Sequence, residues 1–266
     1  MAIVFLIGGT GNQFFQYAAS APEDVFSGFF LDPAVRRAFK WTHHEQALSF
    51  PWAPQSLQVL ALIILALDVM LARLFGFSLF STLDTRSLKM LPCIAELNRF
   101  GYFQGNPERR DFTELARQIS PTVRKGRIVL HIRGGDLVTI EREGRNVYGM
   151  LGCKYFIDAL QKAKEIISAD GTREITRLVV TDDPDYAASL NLESDVMEPV
   201  SIVSPPLGET LAVAVGADWF VASNSTMSYW IVRLRGGKNC IAPEPFQKRR
   251  DYDLPDKTTR LAVEFV

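Results

Sequence analysis

The chain alternates short apolar runs with segments whose apolar residues recur at helical spacing, and glycines or polar turns separate the two. IVFLI at residues 3–7 meets Gly8, Gly9 and Gly11, after which Gln13 to Ser20 reads as a helix. Residues 22–54, rich in proline and aromatic side chains, read as loop and short elements. A long apolar helix covers 57–80, followed by a polar segment with Arg86 and Lys89 and then by AELNRFGYFQG. DFTELARQI is a further helix, with Asp111 near its start, and Ser120-Pro121 ends it. That proline and the polar TVRKG place a boundary between a lobe at 1–121 and a second at 122–266.

The second half alternates more regularly. Strand RIVLHIR, loop GGDLVTIEREGRN, helix KYFIDALQKAKEII, strand ITRLVVTDD and helix PDYAASL follow one another. SIVS, a helix over 207–215, strand DWFVAS, a loop-to-helix step at NSTMSYWIVRL and a last strand NCIAPE complete the series. Strand alternating with helix implies an α/β fold with a parallel sheet and helices on both faces.

Composition narrows the classes. With 266 residues the chain is long enough for two compact lobes, and 47% hydrophobic with 22% charged residues is globular. A formal net charge of -1 removes the electrostatic case for a nucleic-acid partner. Cys93, Cys153 and Cys240 are odd in number and widely spaced, which speaks for a reducing compartment and against a disulfide framework or zinc site. With no basic leader, the protein is expected in the cytoplasm, and the sequon-like Asn224-Ser225-Thr226 has no secretory context. The helix at 57–80 carries Asp68 and Arg73, so it is read as buried in a lobe or in peripheral contact with a membrane surface rather than spanning one.

Ligands of open parallel sheets gather at the carboxyl ends of strands, where three polar clusters stand here: His131–Asp136, Thr181–Asp185 and Ser223–Thr226. Turn chemistry is the ordinary reading of any one of them. Taken together they sketch a nucleotide diphosphate pocket. Arg133 can fork onto a diphosphate, and the helix start after Asn224 can meet an anion. Asp182 and Asp183 can accept from a base or hold a metal. The opening glycines do not complete a dinucleotide fingerprint, because Phe14 stands where the third glycine belongs, and no Lys-Ser/Thr follows to make a P-loop.

GGTGNQFFQYA at the start, FGYFQ at 100–104, HIRGGD at 131–136, TDD at 181–183 and SNSTMSYW at 223–230 resemble, in that order, the motifs of the α-1,2-fucosyltransferases, glycosyltransferase family eleven. LGCKYFIDAL and IAPEPF extend the likeness, which runs from residue 3 to about 246. The resemblance implies a GT-B-like architecture of two Rossmann-type lobes with parallel sheets facing a cleft, the first lobe on the acceptor side and the second binding the nucleotide sugar. It also implies GDP-L-fucose as donor, a galactoside or oligosaccharide acceptor, inversion at the anomeric carbon, and no required metal or cofactor.

Position by position, Arg133 matches the arginine that neutralises the departing β-phosphate. His131, Asp182 and Asp183 match groups around guanine. Gly135 and Asp136 belong to the HIRGGD motif, and Asn224, Ser225 and Thr226 to the phosphate-side turn. Gly11 and Asn12 belong to the glycine loop, Asn12 facing the donor. The chain departs from the pattern at Gly134, where a second arginine is common, and at Leu137, Met227 and Tyr229. An inverting transfer also needs a base for the acceptor hydroxyl, for which Glu141 in EREGR is the candidate against the reading of a solvated charge, with His43 and His44 as rivals. Two other readings compete: a metal-dependent GT-A-type transferase using Asp183 and Asp185, and a catalytically degenerate nucleotide-sugar-binding module.

Overall fold

The computed structural model describes residues 3–6, 10–28, 49–75, 98–99, 110–119, 121–143, 149–169, 171, 175–193, 199–248 and 252–265. The chain divides into two compact units, Met1–Gln118 and Ile119–Val266.

In the first unit β1 (Ile3–Phe5) leads to α1 (Thr10–Ala19) and β2 (Val25–Ser27), and β3 (Asn98–Arg99) completes a parallel sheet of order β2-β1-β3. Among the described residues this is a smaller element than the Rossmann-type lobe expected from the resemblance. Its core is aromatic: Phe14, Tyr17, Phe26 and Phe50 are buried. Tyr17 stacks on Phe26 at 5.6 Å, and the Arg110 guanidinium lies 4.9 Å above the Tyr17 ring while donating to the Asp24 carbonyl at 2.8 Å.

The apolar helix is α2 (Gln55–Phe75). It buries Ala61, but Val59, Leu60, Ile63, Leu67 and Met70 stay about half exposed along one side. Among the described residues no helix is long and apolar enough to cross a membrane. A short α3 (Thr113–Arg117) follows, with Asp111 accepting from the Thr113 N–H at 2.8 Å.

The second unit is built on one six-strand, all-parallel, Rossmann-like sheet flanked by helices. In chain order it comprises β4 (Arg124–Ile132), α4 (Gly135–Arg142), α5 (Cys153–Ala169), β5 (Thr176–Thr181) and α6 (Pro184–Ser189). Then come β6 (Ser201–Val203), α7 (Leu207–Val215), β7 (Ala217–Val221), α8 (Thr226–Leu234), β8 (Cys240–Glu244) and β9 (Thr259–Ala262). The strand order is β6-β5-β4-β7-β8-β9. The chain therefore builds outward from β4 in one direction, returns, and builds outward from β7 in the other. The point of return lies between β4 and β7, which pair directly.

Burial on both faces is what makes the central strands read as unbroken apolar runs. Ile128, Leu130 and Ile132 share a core with Tyr155, Phe156, Ala159, Leu160, Ala163 and Ile167 of α5, whose spacing fits one helical face. The pleat turns Val129 and His131 to the opposite side of the sheet. Where β4 meets β7, the register shifts between Arg124 and Ile128.

Two expectations change here. Within GGDLVTIEREGRN, Gly135–Arg142 is helix rather than loop: Gly135, at φ +47, opens α4, and Leu137 anchors it in the core. Two glycines and three β-branched residues hid a helix that packing holds in place. The edge strand β9 was not anticipated, because TRLA is short, carries a charge and is only half-buried.

Candidate functional site

The register that pairs Ile132 with Thr181 brings the residues just beyond β4 alongside those just beyond β5. Arg133 and Asp182 form an ion pair there, between Nη1 and Oδ2, with 22% and 28% of the two side chains exposed. The other oxygen of Asp182 accepts the Gly134 N–H at 3.0 Å. Asp183 binds the same turn from the next position, accepting the Gly135 N–H at 3.1 Å with Oδ2, while its Oδ1 caps α6 by accepting the Tyr186 N–H at 3.0 Å. The Asp183 N–H in turn donates to Thr181 Oγ1 at 3.0 Å. The two carboxylates thus hold the glycine turn and the arginine in one piece.

That turn is close-packed. A Cβ at Gly134 would stand 2.6 Å from Cβ of Asp183 and 2.9 Å from the Tyr186 ring, and one at Gly135 would meet an Asp182 oxygen at 2.5 Å. A second arginine has no room at 134 in this packing.

The carboxyl end of β7 supplies the other half. The Ser225 hydroxyl accepts the Ser228 N–H at 3.1 Å and so caps α8. Asn224 is buried and holds its neighbours: its Nδ2 donates to the Gly149 carbonyl at 2.7 Å, and its own carbonyl accepts from Gln247 at 2.9 Å. The Tyr155 hydroxyl of α5 donates to the Ala222 carbonyl at 2.7 Å, fixing the exit of β7. Thr226, the first residue of α8, is half-buried at the helix end where peptide N–H groups favour an anion.

Between the two halves sits His131, buried, with Nδ1 2.7 Å from Ser228 Oγ. Burial pushes its pKa from 6.5 down to about 4; Asp182 pulls it up and Arg133 down. The ring is therefore neutral at physiological pH. Burial, reinforced by the Asp183 charge, raises the Tyr186 phenol to about 12, so it too stays neutral.

His131, Arg133, Gly135, Asp182 and Asp183 come together with Asn224, Ser225 and Thr226 around the ends of β4, β5 and β7. Gly11 and Asn12 belong to the first unit and are helical residues of α1 rather than part of a glycine loop, since the helix begins at Thr10. Asp136 and Glu141 lie in the first and last turns of α4, and their side chains are outside the described residues. His43, His44 and the FGYFQ motif also fall outside them. Among the described residues no group of three or more His, Cys, Asp or Glu gathers as a metal site.

Sequence reasoning missed Ser228, Tyr155 and Tyr186 as parts of the site. The one local signal was a serine inside the buried stretch SYWIV of α8, a polar residue where an apolar face is expected. Comparison of the chain with models of protein families, with curated proteins and with solved structures gives no match.

Proposed function

We propose that the second unit binds a nucleoside diphosphate sugar at the carboxyl ends of β4 and β7. We propose further that the protein is an inverting, metal-independent transferase moving L-fucose from GDP-fucose to a galactoside hydroxyl in α-1,2 linkage. The observation that carries the reading is the position of Arg133, oriented by Asp182 at the reversal of strand order, where doubly wound sheets bind ligands. Fucose and galactoside are named on the strength of the sequence motifs alone.

In this mechanism Arg133 meets the diphosphate as negative charge grows on the departing GDP. A guanidinium has five N–H donors in a planar fork, so the Asp182 contact orients it without cancelling its use toward phosphate. The N-terminal turn of α8 adds partial positive charge from the β7 side. Asp183 acts by holding Gly135 and the α6 cap, and His131 by contacting the base. The motifs alone assign the first unit, with Asn12, to the acceptor side, and Glu141 is the residue proposed to take the acceptor proton. A metal-holding role for Asp183 and Asp185 lacks comparable support, because both Asp183 oxygens already accept main-chain N–H groups.

The test is a transfer assay with GDP-fucose and a panel of galactosides, beside thermal-shift titrations with GDP, GDP-fucose, other nucleotide sugars and NAD. Stabilisation by guanine nucleotides and loss of transfer in a folded Arg133→Ala variant are expected. Substantial transfer by that variant, or no response to any guanine nucleotide, would sink the proposal.

A further inference from the structure

Behind the site the polar side chains form a chain of their own. Ser228 Oγ accepts the Ser223 N–H at 3.0 Å, lies 3.1 Å from Ser223 Oγ and lies 2.7 Å from His131 Nδ1. Ser223 Oγ is 3.5 Å from the same nitrogen. The three residues are 0%, 2% and 7% exposed for Ser228, Ser223 and His131. In such a place every hydroxyl proton needs an acceptor.

Two proton arrangements fit these distances. With a proton on Nδ1, the ring donates to Ser228, Ser228 donates to Ser223, and the Ser223 proton has no acceptor among the described residues. With Nδ1 bare, Ser223 donates to Ser228 and Ser228 donates to Nδ1. All protons are then used, and Ser228 Oγ reaches its capacity of two accepted bonds and one donated. The ring proton is left on Nε2.

We propose that Ser228 is a positioning residue that fixes His131 as the neutral, Nε2-protonated imidazole, making it a hydrogen-bond donor to an acceptor atom of the bound nucleotide. The donor role rests on the nucleotide-binding reading above; the tautomer does not. Protonating the ring would put a hydrogen on Nδ1 and reverse the serine relay, which acts in the same direction as burial. Among the described residues the charged groups that bear on the ring are Asp182 just beyond β5, favouring the imidazolium, and Arg133 just beyond its own strand, opposing it. A neutral donor selects carbonyl, phosphate or ring-nitrogen acceptors and rejects an exocyclic amine in the same place.

The experiment uses the full chain labelled with nitrogen-15 histidine, His131 being assigned by its loss in His131→Gln. Wild type should show a protonated Nε2 and a bare Nδ1 from pH 7 down to about 5. Ser228→Ala should mix the tautomers and raise the titration midpoint, while burial still holds it below the ordinary value of about 6.5, and Ser228→Thr should restore the wild-type pattern. A protonated Nδ1 in wild type overturns the proposal, whether or not the variants fold. So does an unchanged tautomer and midpoint in folded Ser228→Ala.

GDP titrated by calorimetry between pH 5.5 and 8 forms the second arm. Ser228→Ala should weaken GDP roughly tenfold, the worth of one well-placed hydrogen bond. An altered tautomer with unaltered GDP affinity overturns the donor role. No GDP binding to wild type with the expected tautomer in place overturns the nucleotide reading and leaves the relay standing.

Discussion

At the scale of single residues, Arg133 and Gly134 explain each other. The arginine is aimed by Asp182, whose second oxygen holds the Gly134 N–H, and the glycine is needed because Asp183 and Tyr186 occupy the space of a side chain. Against the motif it resembles, the sequence lacks a positive charge at 134; it did not show the crowding, since position 183 is far along the chain. Arg133→Lys should keep the fold and the charge yet lower kcat by about 100-fold, because an ammonium cannot reproduce the fork. A transfer assay with a circular-dichroism control checks this. Gly134→Ala should destabilise the protein by roughly 1–3 kcal/mol, the usual cost of overpacking, which denaturant unfolding would measure. A neutral result would mean that the β4–α4 turn gives way easily.

Among the elements, strands and helices of the second unit were legible because strands buried on both sides read as apolar runs, as in RIVLHI and LVVT. Helix α4 was not legible, since its double glycine and β-branched residues speak against helix and its stability comes from Leu137 in the core. Ser228 and Tyr155 escaped because their partners, His131 and Ala222, lie 97 and 67 positions away.

Two element-scale variants test how the β7 edge is supported. Ser225→Ala removes the cap of α8 and should cost about 1 kcal/mol, with Ser225→Asp recovering most of it in thermal unfolding. Arg235 carries more: its guanidinium donates to the carbonyls of Ala214 and Val215 at the end of α7 and to those of Ala217 and Asp218 in β7, at 2.7–3.1 Å. Arg235→Ala should therefore lower stability by roughly 2–4 kcal/mol, since several carbonyls lose a charged donor at once. A loss under 1 kcal/mol would show that water replaces the guanidinium at little cost.

For the whole molecule, His131 ties stability to pH. Its folded pKa, about 4, is below the unfolded 6.5, so between these values the unfolded chain binds the extra proton. The contribution is complete above pH 6.5 and drains away as pH falls toward 4, by about 3 kcal/mol in all. The Tm of wild type should consequently fall more steeply than that of His131→Gln between pH 7 and 4.5; parallel curves would contradict the shift. At the same scale, transfer should be indifferent to EDTA, and a strict requirement for manganese would favour the D-x-D reading.

The order of the six strands was not written in any local pattern, because pairing joins segments distant in the chain. What the sequence did reveal was polar clusters at strand ends, and the order turns those ends into neighbours. This arrangement makes parity in β4 decisive. His131 and Ile132 face opposite ways, one toward the serines and one into the α5 core. One residue inserted after Val129 would exchange their sides, sending the imidazole into oil and the isoleucine to the hydroxyls. The same insertion near Gly126 falls where the pairing with β7 already slips, and can be taken up there. Length variation along this strand should accordingly be tolerated at its beginning and forbidden at its end.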